Sequence, residues 1–130
     1  MCLLDAVVDW DAARIRCTTR THLAADNPLR HGGVLAAACG VEYGAQAAAV
    51  HGGLLGATDS RPAAGYLAAV RELRWSVDRL DTIEGDLAVE CERLLGEDTR
   101  VIYGFALRGA GQELVSGRLS VVLRADGRDP

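Results

Sequence analysis

The chain has 130 residues, 49% of them hydrophobic, and a formal net charge of −4, which is the length of one domain with ample material for a core. The acidic balance and the lack of any basic run exclude an ordinary nucleic-acid-binding surface. All fourteen basic residues are Arg, so Schiff-base chemistry on a lysine of this chain is excluded too.

Cys2, Cys17, Cys39 and Cys91 fall into neither a CxxC pair nor a Cys/His ligand spacing, so no metal site is expected and the thiols read as reduced. No basic stretch followed by an apolar core opens the sequence, and the expected location is the cytoplasm.

Taken in order, Leu3 to Asp11 mixes a short apolar run with acids and fits either a strand or a helical turn. Arg14 to Thr21 alternates Ile15, Cys17 and Thr19 with Arg14, Arg16 and Thr18, the period of a half-buried strand. His22 to Gly33 holds Asn27-Pro28 and two glycines, which predicts a loop.

From Gly33 to Leu54 the chain is almost wholly apolar and rich in Ala and Gly. About 22 helical residues would span roughly 33 Å, the width of a small domain, so a central buried helix is predicted. Gly40 and Gly44 each cost about 1 kcal/mol there relative to Ala, which close packing must offset. A membrane span is excluded by Glu42, Gln46 and His51 within the run and by the lack of flanking basic residues.

Thr58 to Ala64 is a second loop, and beyond it the pattern returns to period two. Gly65–Val77, Asp86–Leu95, Arg100–Arg108 and Glu113–Leu123 are strands separated by turn compositions, and Arg124 to Pro130 is a polar tail. One domain over residues 1–123 is therefore predicted, with residues 124–130 outside it. Its class is α+β, an antiparallel sheet of about five strands curled around one helix. An open sheet edge is left over, and pairing across a two-fold axis, hence a dimer, is the expected remedy.

The chemistry centres on Glu42. Apart from His51 it is the one charged group between Val34 and Leu55, and its helical neighbours are Ala38, Cys39, Ala45, Gln46 and Ala49. Small apolar surroundings should raise its pKa towards the range of a general acid. His51, nine residues on, would face the opposite side of the helix and reads as a core or interface residue. His22 and His31 in the preceding loop are candidate bases. Gly32 and Gly33, placed at the predicted helix start, offer N–H groups to polarise a thioester oxygen, or else only turn the chain.

Gly33-Val34-Leu35 followed by Glu42-Tyr43-Gly44-Ala45-Gln46 resembles the hotdog-fold β-hydroxyacyl-acyl-carrier-protein dehydratases. There a Pro-Gly-Val-Leu run leads to Glu-Ala-x-Ala-Gln on the central helix. Gly33 to Glu42 is about four residues longer here, roughly one helical turn, so the carboxylate would keep its face. The His-Phe-Pro-Gly loop of those enzymes is replaced by Asn27-Pro28-Leu29-Arg30-His31. Together with Ala49-Val50-His51-Gly52-Gly53-Leu54-Leu55, the pattern is similar to the dehydratase subunits of aryl-polyene and related type II polyene polyketide pathways.

That resemblance implies elimination of water from a 3-hydroxyacyl thioester carried on the phosphopantetheine of an acyl carrier protein, with no other cofactor. It implies a second hotdog subunit that supplies the catalytic His, while Glu42 acts as acid and Gln46 holds its orientation. A homodimer drawing on His31 or His22 is the other arrangement. Gly32, Gly33 and Cys39 would line the substrate, and Arg71, Arg74 or Arg79 would dock the acidic carrier. Two rivals stand beside it: a hotdog thioesterase in which Glu42 activates water, and a non-catalytic subunit that stabilises a catalytic partner.

Overall fold

The structure, a computed structural model, describes residues 2–56, 63–97 and 99–125. Six strands form one antiparallel sheet. They are β1 (Ala6–Trp10), β2 (Arg14–Thr19), β3 (Ala63–Trp75), β4 (Leu87–Gly96), β5 (Arg100–Gly109) and β6 (Gln112–Ala125). Their spatial order is β1-β2-β4-β5-β6-β3, so β1 and β3 are the two edges. The sheet curls around a single helix, α1 (Gly40–Gly56), which is the hotdog fold. The extra strand is β1, from the segment whose sequence fitted either strand or helix. Arg124 and Ala125 extend β6 instead of opening a tail, and residues 126–130 lie outside the described residues, as do residues 57–62 of the second loop.

Alternation decides which strand residues face the helix. On β2 Ile15, Cys17 and Thr19 are buried between exposed or half-buried neighbours, and on β5 Val101, Tyr103, Phe105 and Leu107 are buried in the same rhythm. Leu35, Leu80, Leu87, Leu107, Leu114 and Leu119 are fully enclosed, each contributing roughly 1.5–3 kcal/mol by burial. Gly40 and Gly44 face this core, where a Cβ on Gly44 would lie 2.7 Å from the Phe105 ring and one on Gly40 3.1 Å from Val115. The helix therefore rests its bare backbone on the sheet, the close packing that offsets two helical glycines.

Two expectations about the helix are corrected. First, it starts seven residues later than predicted. Leu35 N–H donates to Asp81 Oδ1 at 2.9 Å, Leu80 N–H to Leu35 O at 2.8 Å and Ala37 N–H to Asp78 O at 3.0 Å. These bonds hold residues 34–37 extended along 78–81, and a 3-10 turn at Ala37–Cys39 then leads into α1. Second, the helix is not buried all round. Gly40, Tyr43, Gly44, Ala47, Ala48 and His51 are buried, but Glu42, Ala49, Gly52 and Gly53 are exposed.

Candidate active site

Glu42 lies in the first turn of α1, where the helix dipole favours a carboxylate. It is exposed, which corrects the expectation of an apolar enclosure: within one chain the sheet covers the opposite face. The one-turn argument for the long spacing after Gly33 is corrected as well, because the added residues are spent on the extended rung and the 3-10 turn. Glu42 and Ala49 stand exposed with half-buried Ala45 and Gln46 between them, and Ala38 is exposed just before the helix, so the carboxylate sits in a shallow lane of small side chains.

Gln46 is tied to the N-terminal segment, its Oε1 accepting the Leu3 N–H at 2.7 Å. Cys39 closes the 3-10 turn, half-buried, with its thiol directed to Leu29 O at 3.7 Å. Burial raises that thiol's pKa, and the Glu42 charge adds to the shift, so Cys39 stays protonated near neutral pH.

Gly32 and Gly33 are not at the helix start. With φ of 59° and 80° they form a tight two-residue turn, closed by His31 N–H to Val34 O at 2.9 Å and Val34 N–H to His31 O at 3.1 Å. Positive φ at both central positions is what glycine tolerates at no steric cost. Open space surrounds both, since a Cβ at either would meet nothing within 4 Å. His31 beside them is exposed. The turn is pinned from below: Arg30 donates to Gly33 O at 3.0 Å and to His22 O at 3.2 Å. Arg79 grips Asp81 through two hydrogen bonds of 3.0 and 2.6 Å, and this guanidinium, with the Leu35 N–H, holds the Asp81 carboxyl well below the usual carboxylate range against the effect of burial. Arg79 is thereby committed to structure, whereas Arg71 and Arg74 project from β3.

His22 is not an exposed loop residue. It sits in a 3-10 turn at Thr21–Leu23, fully buried, with Nε2 2.9 Å from Ile83 O. A carbonyl only accepts, so Nε2 carries the proton, and Nδ1 is buried without a partner among the described residues. Burial lowers its pKa. His51, also fully buried, donates from Nε2 to Asp11 O and accepts the Tyr103 hydroxyl at Nδ1, both at 2.7 Å. It bonds the helix to the β1–β2 turn on the side away from Glu42, as its spacing predicts. No hydrogen bond joins any histidine to Glu42 among the described residues.

A depression of about 750 Å3 lies elsewhere on the described surface. It lies on strand positions among ion pairs such as Arg14–Glu92 at 2.9 Å and Arg118–Glu72 at 3.0 Å. Of the sequence candidates it contains only Arg74, named for carrier docking, and neither Glu42 nor any histidine among its described lining. What the sequence did not disclose is a buried polar cluster under Glu42 made by Thr21, Asn27 and Tyr43. Asn27 stood as half of a loop-marking Asn-Pro pair and as part of a motif, and Tyr43 as part of another, with nothing local to pair them.

A helix bearing a lone first-turn carboxylate on its uncovered face, within a curled sheet, is an arrangement that family comparison can place. A family model described as ApeP-like, ApeP dehydratase, matches residues 1–129. The chain belongs to the ApeP-like dehydratase family. Comparison with curated protein sequences gives no match. Among solved structures, this ApeP-like chain is similar to one from the dehydratase heterocomplex ApeI:P of Xenorhabdus doucetiae, with a TM-score of 0.82 at 22% identity, covering 95% of this chain and 83% of that one. Thioesterase PA1618 of Pseudomonas aeruginosa, a Q49A variant, matches with a TM-score of 0.68 at 14% identity, covering 92% and 80%. The hypothetical protein SAV0944 of Staphylococcus aureus, a Glu47Ala variant, gives 0.70 at 9%, covering 92% and 93%. At these identities the structures speak for the fold, and the family match makes this a hotdog dehydratase.

Proposed function

We propose that this ApeP-like chain is the acid-bearing subunit of a 3-hydroxyacyl-acyl-carrier-protein dehydratase whose site is completed by a second hotdog subunit. The observation that carries this reading is the position of Glu42. It is a single carboxylate on the helix face that the chain's own sheet leaves uncovered, amid small residues and with no histidine bonded to it. A partner seated on that face would enclose Glu42 and bring a base to it. The similar Xenorhabdus protein belongs to a heterocomplex, which makes a two-subunit assembly the first arrangement to test.

In this reading the partner's histidine takes the C2 proton, and Glu42 protonates the departing hydroxyl. Gln46, held by the Leu3 N–H, would keep Glu42 in its orientation. The developing enolate oxygen would be met by main-chain N–H groups at Gly32 and Gly33, where open space lets a thioester approach; such stabilisation is the largest single contribution in chemistry of this kind. Cys39, Ala38, Ala45 and Ala49 would line the acyl chain, for which a flat polyene suits small walls. Exposed Arg71 and Arg74 would dock an acidic carrier protein.

The test is dehydration of a 3-hydroxyacyl-carrier protein, read as product mass, with this chain alone and then with a histidine-bearing hotdog partner. Turnover only in the mixture, abolished by Glu42→Gln, is the expected result. Turnover by this chain alone, lost in His31→Ala, would replace the shared site with a self-sufficient homodimer. Unchanged turnover in Glu42→Gln would leave the chain a scaffold. Likeness in fold to a thioesterase keeps one rival in view, with Glu42 activating water, and the same assay would then return a free acid in place of the enoyl thioester.

A further inference from the structure

We propose that Asn27, Tyr43 and Thr21 form a one-way chain of hydrogen bonds that positions the loop before the helix, and the N-terminal segment, against the helical turn bearing Glu42. The proposal rests on the reading of Glu42 as the catalytic acid and makes these three positioning residues for it.

Asn27 is almost fully buried, at 3% exposure, yet each of its polar groups is engaged. Its N–H donates to Ala24 O and its carbonyl accepts the Arg30 N–H, both at 3.1 Å. Oδ1 accepts the Leu29 N–H at 2.9 Å, and Nδ2 donates to Thr21 O at 2.8 Å and to the Tyr43 hydroxyl oxygen at 3.0 Å. The amide cannot be turned over, because Leu29 N–H only donates and Thr21 O only accepts.

From that fixed end the rest of the chain acquires a direction. Thr21 has a single hydroxyl hydrogen, and a carbonyl such as Leu3 O only accepts. With that hydrogen given to Leu3 O, Tyr43, which has no exposure and accepts the amide hydrogen, donates its own to Thr21 Oγ1 at 2.9 Å. Thr21 donates onward to Leu3 O at 2.7 Å, a carbonyl that the Thr19 hydroxyl meets as well. Leu3 N–H then returns to the helix at Gln46 Oε1, at 2.7 Å. The circuit leaves α1 at the residue after Glu42 and rejoins it one turn later. Between those points it passes through the loop that leads to His31 and the Gly32-Gly33 turn, and through the first residues of the chain.

Stability alone does not explain such a circuit. An apolar set of the same shape at all three positions would be nearly as stable, since replacing every partner of a buried hydrogen bond is close to neutral while removing one strands the others. What directed, fully satisfied bonds give is a single geometry. Catalytic groups need that, since a displacement of about 1 Å can cost on the order of a hundredfold in rate.

The experiment uses the assembled dehydratase and kcat per mole of folded protein, with the folded fraction taken from a thermal melt. Tyr43→Phe, which keeps the ring, should lower kcat about 10- to 100-fold with KM within about twofold and with the limbs of the pH profile unmoved. Thr21→Val should reproduce the loss and Thr21→Ser restore turnover, which keeps the test open should Tyr43→Phe fold poorly. Unchanged kcat per folded mole in both Tyr43→Phe and Thr21→Val, beside a dead Glu42→Gln, overturns the positioning role alone. Full activity in Glu42→Gln overturns the acid assignment, and the positioning role with it.

Discussion

The shape of the core is decided at two small residues on either side of one large one. Phe105, the chain's single Phe, has Gly44 of the helix on one side, and a Cβ on Gly117 of β6 would lie 3.0 Å from its ring edge and 3.3 Å from Arg71 O. The ring has no room to retreat. Gly44→Ala should therefore cost about 1–3 kcal/mol by overpacking, outweighing the helix-propensity gain of about 1 kcal/mol, and the loss would be read as a lower denaturant midpoint at unchanged slope. The sequence pointed to close packing at Gly40 and Gly44 but did not indicate the partner, since nothing local pairs residue 44 with residue 105.

His22 gives a second prediction at the same scale. Burial depresses its pKa in the folded protein below the ordinary value of 6.5. Below pH 6.5 the unfolded chain then binds a proton that the folded one does not, so stability is intact above that pH and falls as pH drops towards the folded value. A variant such as His22→Phe should flatten this part of the pH dependence of the unfolding free energy. Loop composition around His22 suggested exposure; its burial beneath Ile83 arises from a contact 61 residues away.

Among the elements, strands were more legible than the helix. Alternation in β2, β5 and the first half of β4 is written residue by residue, and the boundaries of β2, β4, β5 and β6 fall within a few positions of those expected. The helix start was illegible because Val34-Leu35-Ala36-Ala37-Ala38 suits a helix as well as an extended rung, and the choice is made by Asp78 and Asp81 more than forty residues downstream. The bare face of α1 yields a prediction here. Ala45→Glu, a bulky charge in the lane of small side chains beside Glu42, should weaken association with any partner seated on that face while leaving the fold intact. Sedimentation should then show the single chain at concentrations where the parent is assembled, with an unchanged far-UV spectrum.

For the molecule as a whole, fold and family were legible in the Glu-x-x-x-Gln register and the strand–helix–strands order. The site was legible only in part, because none of the described residues of its own chain encloses Glu42. Among the described residues no helix is long and apolar enough to cross a membrane, in keeping with the sequence-based exclusion of a spanning helix. The two edges of the sheet also differ in kind. β3 runs for 13 residues, whereas β1 has only five, with Asp9 within it and Asp5 and Asp11 flanking it. A short, acidic edge discourages strand addition, and a long one invites it. A sheet that is adhesive at one end only cannot polymerise. Joined there to one neighbour, whether a copy or a relative, it has no second edge to offer, so growth stops at two and a protein built from extended strands avoids becoming a fibre.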